Sequence, residues 1–222
     1  MKNLIQPIVL AGLLSTASIQ ANAAIFDFID LIDNNNGTIT GILGNGNAFA
    51  GNPGESGFQT FDWTVGGLTL SATGTDGGNN AFAYLDSNNA GLGVCGAVNG
   101  SNQCTPNSDD NVTVGEILNL GFDKLASIDF NSVVFRDANH NVFNPTIEVN
   151  VDGGGFAALD LTSTLQGNSF AFRTLSQNNQ FYINVLSAEI GVPPTQVPAP
   201  GVLALIAIGL AGFGVIFRRK NG

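Results

Sequence analysis

Oxygen-bearing side chains gather in one place where they could hold a hard cation. Asp109, Asp110 and Asn111 are consecutive, and Glu116 follows five residues later. Calcium takes about six to eight oxygen ligands from carboxylates, amides and backbone carbonyls. These four residues are therefore the candidate metal ligands, with calcium the candidate ion. The alternative reading is a turn ahead of a strand starting at Ile117. Asp137, Asn139, Asn141 and Glu148 copy part of a helix–loop–helix calcium loop, but Val142 replaces its glycine and strands are expected on both sides, so that match is rejected. Cys95 and Cys104, the two cysteines, lie nine positions apart. In an exported chain such a pair reads as a disulfide closing a short loop, worth about 2–3 kcal/mol in the chain-entropy model. A zinc site would need four ligands, and the sequence has a single histidine.

That histidine, His140, sits in Asp137-Ala138-Asn139-His140-Asn141 between two expected strands and reads as a hairpin tip. The nucleophile-elbow pattern G-x-S-x-G does not occur. Hydrolysis by paired carboxylates needs two acids across a cleft, and the spacing of the 17 acidic residues selects no pair. No catalytic residue is assigned on these grounds.

Charge narrows the partners. All 17 Asp and Glu lie between Asp27 and Glu189, where Lys124, Arg136 and Arg173 are the only Lys or Arg, a net charge of −14. Binding to a nucleic-acid backbone requires clustered cations, so nucleic acid is excluded as a partner.

The elements that must position these residues read as strands. Phe61, Trp63 and Val65 alternate with polar residues, Gly66-Gly67 turns the chain, and Leu68, Leu70 and Ala72 alternate again, the pattern of a hairpin. Ile147, Val149 and Val151 form another strand, turned at Asp152 to Gly155 into Phe156–Leu161. Further strands are expected around Leu118, Leu120 and Phe122, over Ser127–Arg136, Ser169–Thr174 and Phe181–Ala188. No convincing amphipathic helix is found. About ten strands separated by Gly, Asn and Asp turns predict an all-β fold, an antiparallel β-sandwich of the jelly-roll type, over residues 24–190. The Gly- and Asn-rich stretch from Ile32 to Gly57 is expected to hold long loops.

The two ends read as addresses. Residues 1–23 form a signal peptide: Lys2, an apolar run from Ile8 to Leu14, and the small-x-small site Ala21-Asn22-Ala23. Residues 191–200 are a Pro-rich linker. In residues 201–222, Gly201–Phe217 runs 17 residues without a charge, about 26 Å as a helix and near the short limit for a transmembrane span. Arg218, Arg219 and Lys220 follow at once, which predicts a cytoplasmic C-terminus and an ectodomain in the periplasm, anchored at the inner membrane.

Val197-Pro198-Ala199-Pro200, then the apolar helix, then Arg218-Arg219-Lys220 resembles the PEP-CTERM sorting signal of Gram-negative bacteria over about 25 residues. Ala199 stands where the family carries Glu. The resemblance implies export and recognition by a membrane-embedded exosortase that cleaves near the proline motif, in bacteria that make extracellular polysaccharide. Gly91-Leu92-Gly93-Val94-Cys95, Cys104, Asp109-Asp110-Asn111 and Glu116 also resemble a block found in some PEP-CTERM proteins. The expected function is a non-catalytic surface or extracellular-matrix protein, displayed from the envelope and released or transferred to the cell surface after sorting. The alternative is a module binding carbohydrate, exopolysaccharide above all, through Trp63, Tyr84 and Tyr182, although the alternation around Trp63 favours the core. An envelope hydrolase is the third reading.

Overall fold

The computed structural model describes residues 23–33, 39–107 and 109–191. The signal peptide up to Asn22, nearly all of the linker, and the tail with Val197, Pro198, Ala199, Pro200, Arg218, Arg219 and Lys220 lie outside the described residues. Among the described residues no helix is long and apolar enough to cross a membrane.

The fold is all-β and antiparallel throughout its strand pairs. Thirteen strands are described: β1 (Ala24–Asp27), β2 (Ile39–Leu43), β3 (Ala48–Gly51), β4 (Ser56–Val65), β5 (Leu68–Asp76), β6 (Asn79–Asp86), β7 (Gly91–Cys95), β8 (Glu116–Asp129), β9 (Val134–Arg136), β10 (Glu148–Val151), β11 (Phe156–Ala158), β12 (Thr164–Arg173) and β13 (Tyr182–Ile190). The hairpin at Gly66-Gly67 is present. Val65 pairs with Leu68, and the two glycines take φ of 58° and 79°, the left-handed conformation that a two-residue turn of this kind requires. The turn at Asp152 to Gly155 is present too and joins β10 to β11.

One strand organises the rest. β8 pairs along one edge with β12. Along its other edge it pairs first with β5, from Glu116 to Phe122, and then with β13, from Ala126 to Ile128. β13 continues the pairing to β7, β7 to β6, and β6 to β5. The hydrogen-bonded sheet thus closes a circuit through β5, β8, β13, β7 and β6. β4, β2 and β3 extend it on one side and β10 and β11 on the other.

The alternation in the sequence explains which face turns in. Phe61, Trp63, Leu68, Leu70, Leu118, Leu120, Phe170, Phe172 and Ile183 are all buried in one core cluster. Trp63 lies at its centre, 4.4 Å from the ring of Phe61 and 4.6 Å from that of Phe28. Burial of each such side chain contributes roughly 1.5–3 kcal/mol, which drives the strands together.

Three expectations are corrected. Ser127–Arg136 is not one strand: its first residues finish β8, a single 3-10 turn at Phe130–Ser132 breaks it, and β9 resumes at Val134. Asp129 accepts from the Asn131 N–H and caps that turn, a local competitor that the apolar pattern hides. The stretch expected to hold long loops contains a hairpin, β2–β3, with Ile39 opposite Gly51. A one-turn-and-a-half helix, α1 (Phe28–Asp33), follows β1, its first amides bonded to Asp27. It is too short to show a helical period.

Candidate functional site

β6 and β7 run antiparallel, with Phe82 opposite Cys95, so Cys95 ends its strand against the Cys104 loop. The expected disulfide is formed, with 5.8 Å between the two Cα atoms. Its loop is closed again by the Val98–Cys104 bridge and by the Asn99 N–H donating to the Gln103 carbonyl at 2.9 Å. Tyr84, Cys95 and Cys104 are buried together, with Phe82 and Val98 packed on them, as a small second core. Beyond the disulfide the chain crosses β7 at Gly93. A Cβ there would lie 2.1 Å from the Asp110 carbonyl oxygen and 2.8 Å from Asn111 Cα, so only glycine allows the crossing.

This crossing fixes the four candidate ligands, and it divides them. Asp109 turns to one side, where its Oδ2 accepts from the Gly96 N–H at 3.2 Å. Asp76 reaches the same glycine. Glu116, opposite Asp76 in the β5–β8 ladder, is buried and accepts from the Thr113 N–H at 2.7 Å. Burial pushes its carboxyl up to about 8, opposed by the Thr113 bond and reinforced by Asp109 and Asp76. Asp110 turns the other way and accepts from the Tyr182 hydroxyl at 2.6 Å. Asn111 is buried, and its Oδ1 has no hydrogen-bond partner among the described residues. Asp109 and Glu116 therefore share their surroundings with Asp76, whereas Asp110 belongs to a different group. The sulfurs of Cys95 and Cys104 and the Asp109 carboxylate lie within 4.8 Å of one another. Joined in a disulfide, the sulfurs are not thiolates and offer a metal little.

The group around Asp110 was not legible in the sequence. Asp86, the last residue of β6, is almost fully buried. His140, on the hairpin tip between Arg136 and Val142 as expected, places its Nε2 3.2 Å from Asp86 Oδ2. Its Nδ1 lies 3.1 Å from the Asn88 carbonyl oxygen, and its ring stands edge-on to Tyr182 at 5.5 Å. Burial, then the neighbouring Asp110 and Glu55, push the Asp86 carboxyl up to about 6, and His140 opposes them. Burial also raises Asp110, against the pull of the Tyr182 hydrogen bond. Burial and Asp110 together drive the Tyr182 phenol far up, so it stays a donor. Glu55 closes the group on the disulfide side. It accepts from the Tyr84 hydroxyl at 3.1 Å and from the Ser87 hydroxyl. Chemically the group is rich in acceptors: three carboxylates share the Tyr182, Tyr84 and Ser87 hydroxyls, and the buried Asp86 Oδ2, 3.2 Å from His140 Nε2, has no hydrogen-bond partner among the described residues. Both imidazole nitrogens face protein acceptors, and the nearby Ser87 hydroxyl is given to Glu55.

The aromatic residues expected to stack on sugars do not present their rings. Trp63, Tyr84 and Tyr182 are each no more than 2% exposed. The period-2 pattern placed Trp63 correctly in the core. Tyr84 and Tyr182 are covered by the disulfide loop and by the His140 hairpin, contacts distant in sequence.

Comparison with known proteins bears on the C-terminus. Residues 196–220 match the PEP-CTERM protein-sorting motif, so the chain carries the sorting signal that its proline, apolar and basic segments resemble. No curated protein and no solved structure matches the chain.

Proposed function

We propose that this is a non-catalytic surface or extracellular-matrix protein, sorted to the envelope by its C-terminus. The observation that carries the reading is the PEP-CTERM motif at residues 196–220, the signal of an exported protein handled by an exosortase. In this reading residues 1–23 are removed on export. Residues 24–190 form a jelly-roll-type sandwich in the periplasm. Residues 191–200 are its linker, and residues 201–222 hold it in the inner membrane until the exosortase acts. The positive cluster Arg218-Arg219-Lys220 supports that orientation, because cationic flanks stay on the cytoplasmic side. A body with one disulfide and a charge of −14 suits a soluble, rigid element among exopolysaccharide. The contacts of His140 with Asp86 and the Asn88 carbonyl support a structural role for that group.

The test is the intact mass of the envelope-associated protein from strains with and without the exosortase. Loss of residues 201–222 only where the enzyme is present is expected. Retention of those residues in both strains would contradict sorting by cleavage.

A further inference from the structure

Two cavities open on the outer face of the sheet, and Thr73 borders both. The first, about 360 Å³, lies where β4 leaves β6 and joins β5. Phe58 is the last β4 residue paired to β6 and Phe61 the first paired to β5, so Gln59 and Thr60 face outward in the gap. The second, about 400 Å³, continues across β5, β8, β12 and β10. Its floor is set by register: Thr73 is opposite Asn119, Asn119 opposite Ala171, and Ala171 opposite Asn150. In the next row Gly121 lies between Ser71 and Ser169. Four strand spacings of about 4.8 Å make the combined groove about 19 Å long.

The lining is uncharged and mixes polar with apolar groups. No residue bordering either cavity is charged, although the surrounding domain carries −14. Nine of the seventeen bordering residues carry an amide or a hydroxyl, the others are glycine, alanine, Leu120, Phe82 and Phe170, and both cavities present more apolar than polar surface, with Phe82 half-buried at one end. Neighbouring carboxylates are already engaged: Asp62 accepts from Ser71, Asp152 accepts from the Asn168 and Ser169 amides, and Glu148, in the row beside Asn150, is paired with Arg173. An acidic body repels polyanions, and a neutral groove of donors and acceptors gives a cationic ligand no counter-charge. What matches is an uncharged, hydroxyl-rich, extended chain. Each of its hydroxyls can exchange water for Asn, Gln, Ser or Thr, and its apolar ring faces can rest on Phe82.

We infer that this groove binds a neutral polysaccharide chain, laid across β4–β6, β5, β8, β12 and β10. The inference deepens the matrix reading by naming the ligand and its seat. It rests on that reading only for where the chain would be met. Binding is measured on purified protein, so an unprocessed tail and an empty groove are separate failures.

Gly121 supplies the decisive variant. Its backbone is not left-handed, and a Cβ there would have only Ser71 Cβ nearby, at 4.0 Å. Gly121→Val thus fills the groove without displacing backbone, and valine suits a strand. The experiment titrates full-length protein, in detergent, with cello-, laminari-, malto- and mannohexaose and with polygalacturonate, by calorimetry. We expect at least one neutral hexaose to bind and its disaccharide to bind at least tenfold more weakly. Gly121→Val should lose at least tenfold in affinity with an unchanged melting temperature, Asn119→Ala should lose severalfold, and polygalacturonate should not bind. Silence of every neutral hexaose, or binding untouched by both variants, overturns the inference. So does a dimer that Gly121→Val dissociates, because the groove would then belong to a second copy of the chain.

Discussion

Glu116→Gln should make the protein more resistant to alkaline conditions. Glu116 is only 2% exposed, and its carboxyl is pushed from an ordinary 4.5 to about 8, chiefly by burial. Below pH 4.5 the folded and unfolded chains both hold the proton, and the group costs nothing. Between pH 4.5 and 8 the folded chain keeps a proton that the unfolded chain has released, so stability falls by about 1.4 kcal/mol per pH unit. The full interval amounts to about 5 kcal/mol. Water around Asp76 and Asp109 screens part of that, which leaves about 2–4 kcal/mol. Against a total domain stability of about 5–15 kcal/mol this is a large fraction. Glutamine keeps an oxygen acceptor for the Thr113 N–H and removes the charge that burial penalises. Denaturation in urea at pH 4.5 to 9, followed by fluorescence of the buried and sole tryptophan Trp63, measures it. The variant should match the parent near pH 4.5 and exceed it by about 2–4 kcal/mol at pH 8.5. Parallel curves over that range would refute the reasoning, because Glu116 would then ionise without cost.

The other expectations concern the same region. Tyr182→Phe removes the hydroxyl held by Asp110 at 2.6 Å and should cost about 1–3 kcal/mol in chemical denaturation. Replacing Cys95 and Cys104 together by serine should cost about 2–3 kcal/mol, read as a lower urea midpoint that reducing agent no longer changes. Gly93→Ala drives a methyl group against the Asp110 backbone and should destabilise by more than 1 kcal/mol, with near-ultraviolet dichroism of the buried tyrosines altered. His140→Ala removes the imidazole whose Nε2 lies 3.2 Å from Asp86 and whose Nδ1 meets the Asn88 carbonyl, and should cost about 1–3 kcal/mol, read as a lower urea midpoint.

How much of this was legible in the sequence depends on the range of the interaction. Alternation over Phe61 to Ala72 was enough to find a hairpin, because the inward set and the two-glycine turn are local signals that agree. The disulfide was legible from two cysteines in a chain with export signals, and the sorting motif from three adjoining segments of distinct composition. The 3-10 break at Phe130 was not read, because the change of phase from Ile128 and Phe130 to Val133 and Phe135 is only one residue and the cap from Asp129 is a local detail. α1 and β2–β3 were too short to establish a period.

The candidate ligands show the limit most clearly. In the sequence Asp109, Asp110 and Asn111 are one run of oxygen-bearing side chains, and proximity along the chain suggested proximity of their oxygens. What separates them is the passage across Gly93, which gives Asp109 to Gly96, Asp110 to Tyr182 and Asn111 to the interior. Asp110 and Tyr182 are 72 residues apart, and His140 is 54 residues beyond Asp86. No periodicity or spacing encodes such a meeting, because it depends on β13 lying between β8 and β7 in the sheet. The groove has the same origin. Thr73, Asn119, Ala171 and Asn150 are unremarkable polar or small positions on four strands, and only strand register sets them in one row. A site made of uncharged residues on the solvent face leaves no mark in composition or motif. For this chain it is therefore topology, fixed by the buried alternate residues, that decides what the exposed ones can bind.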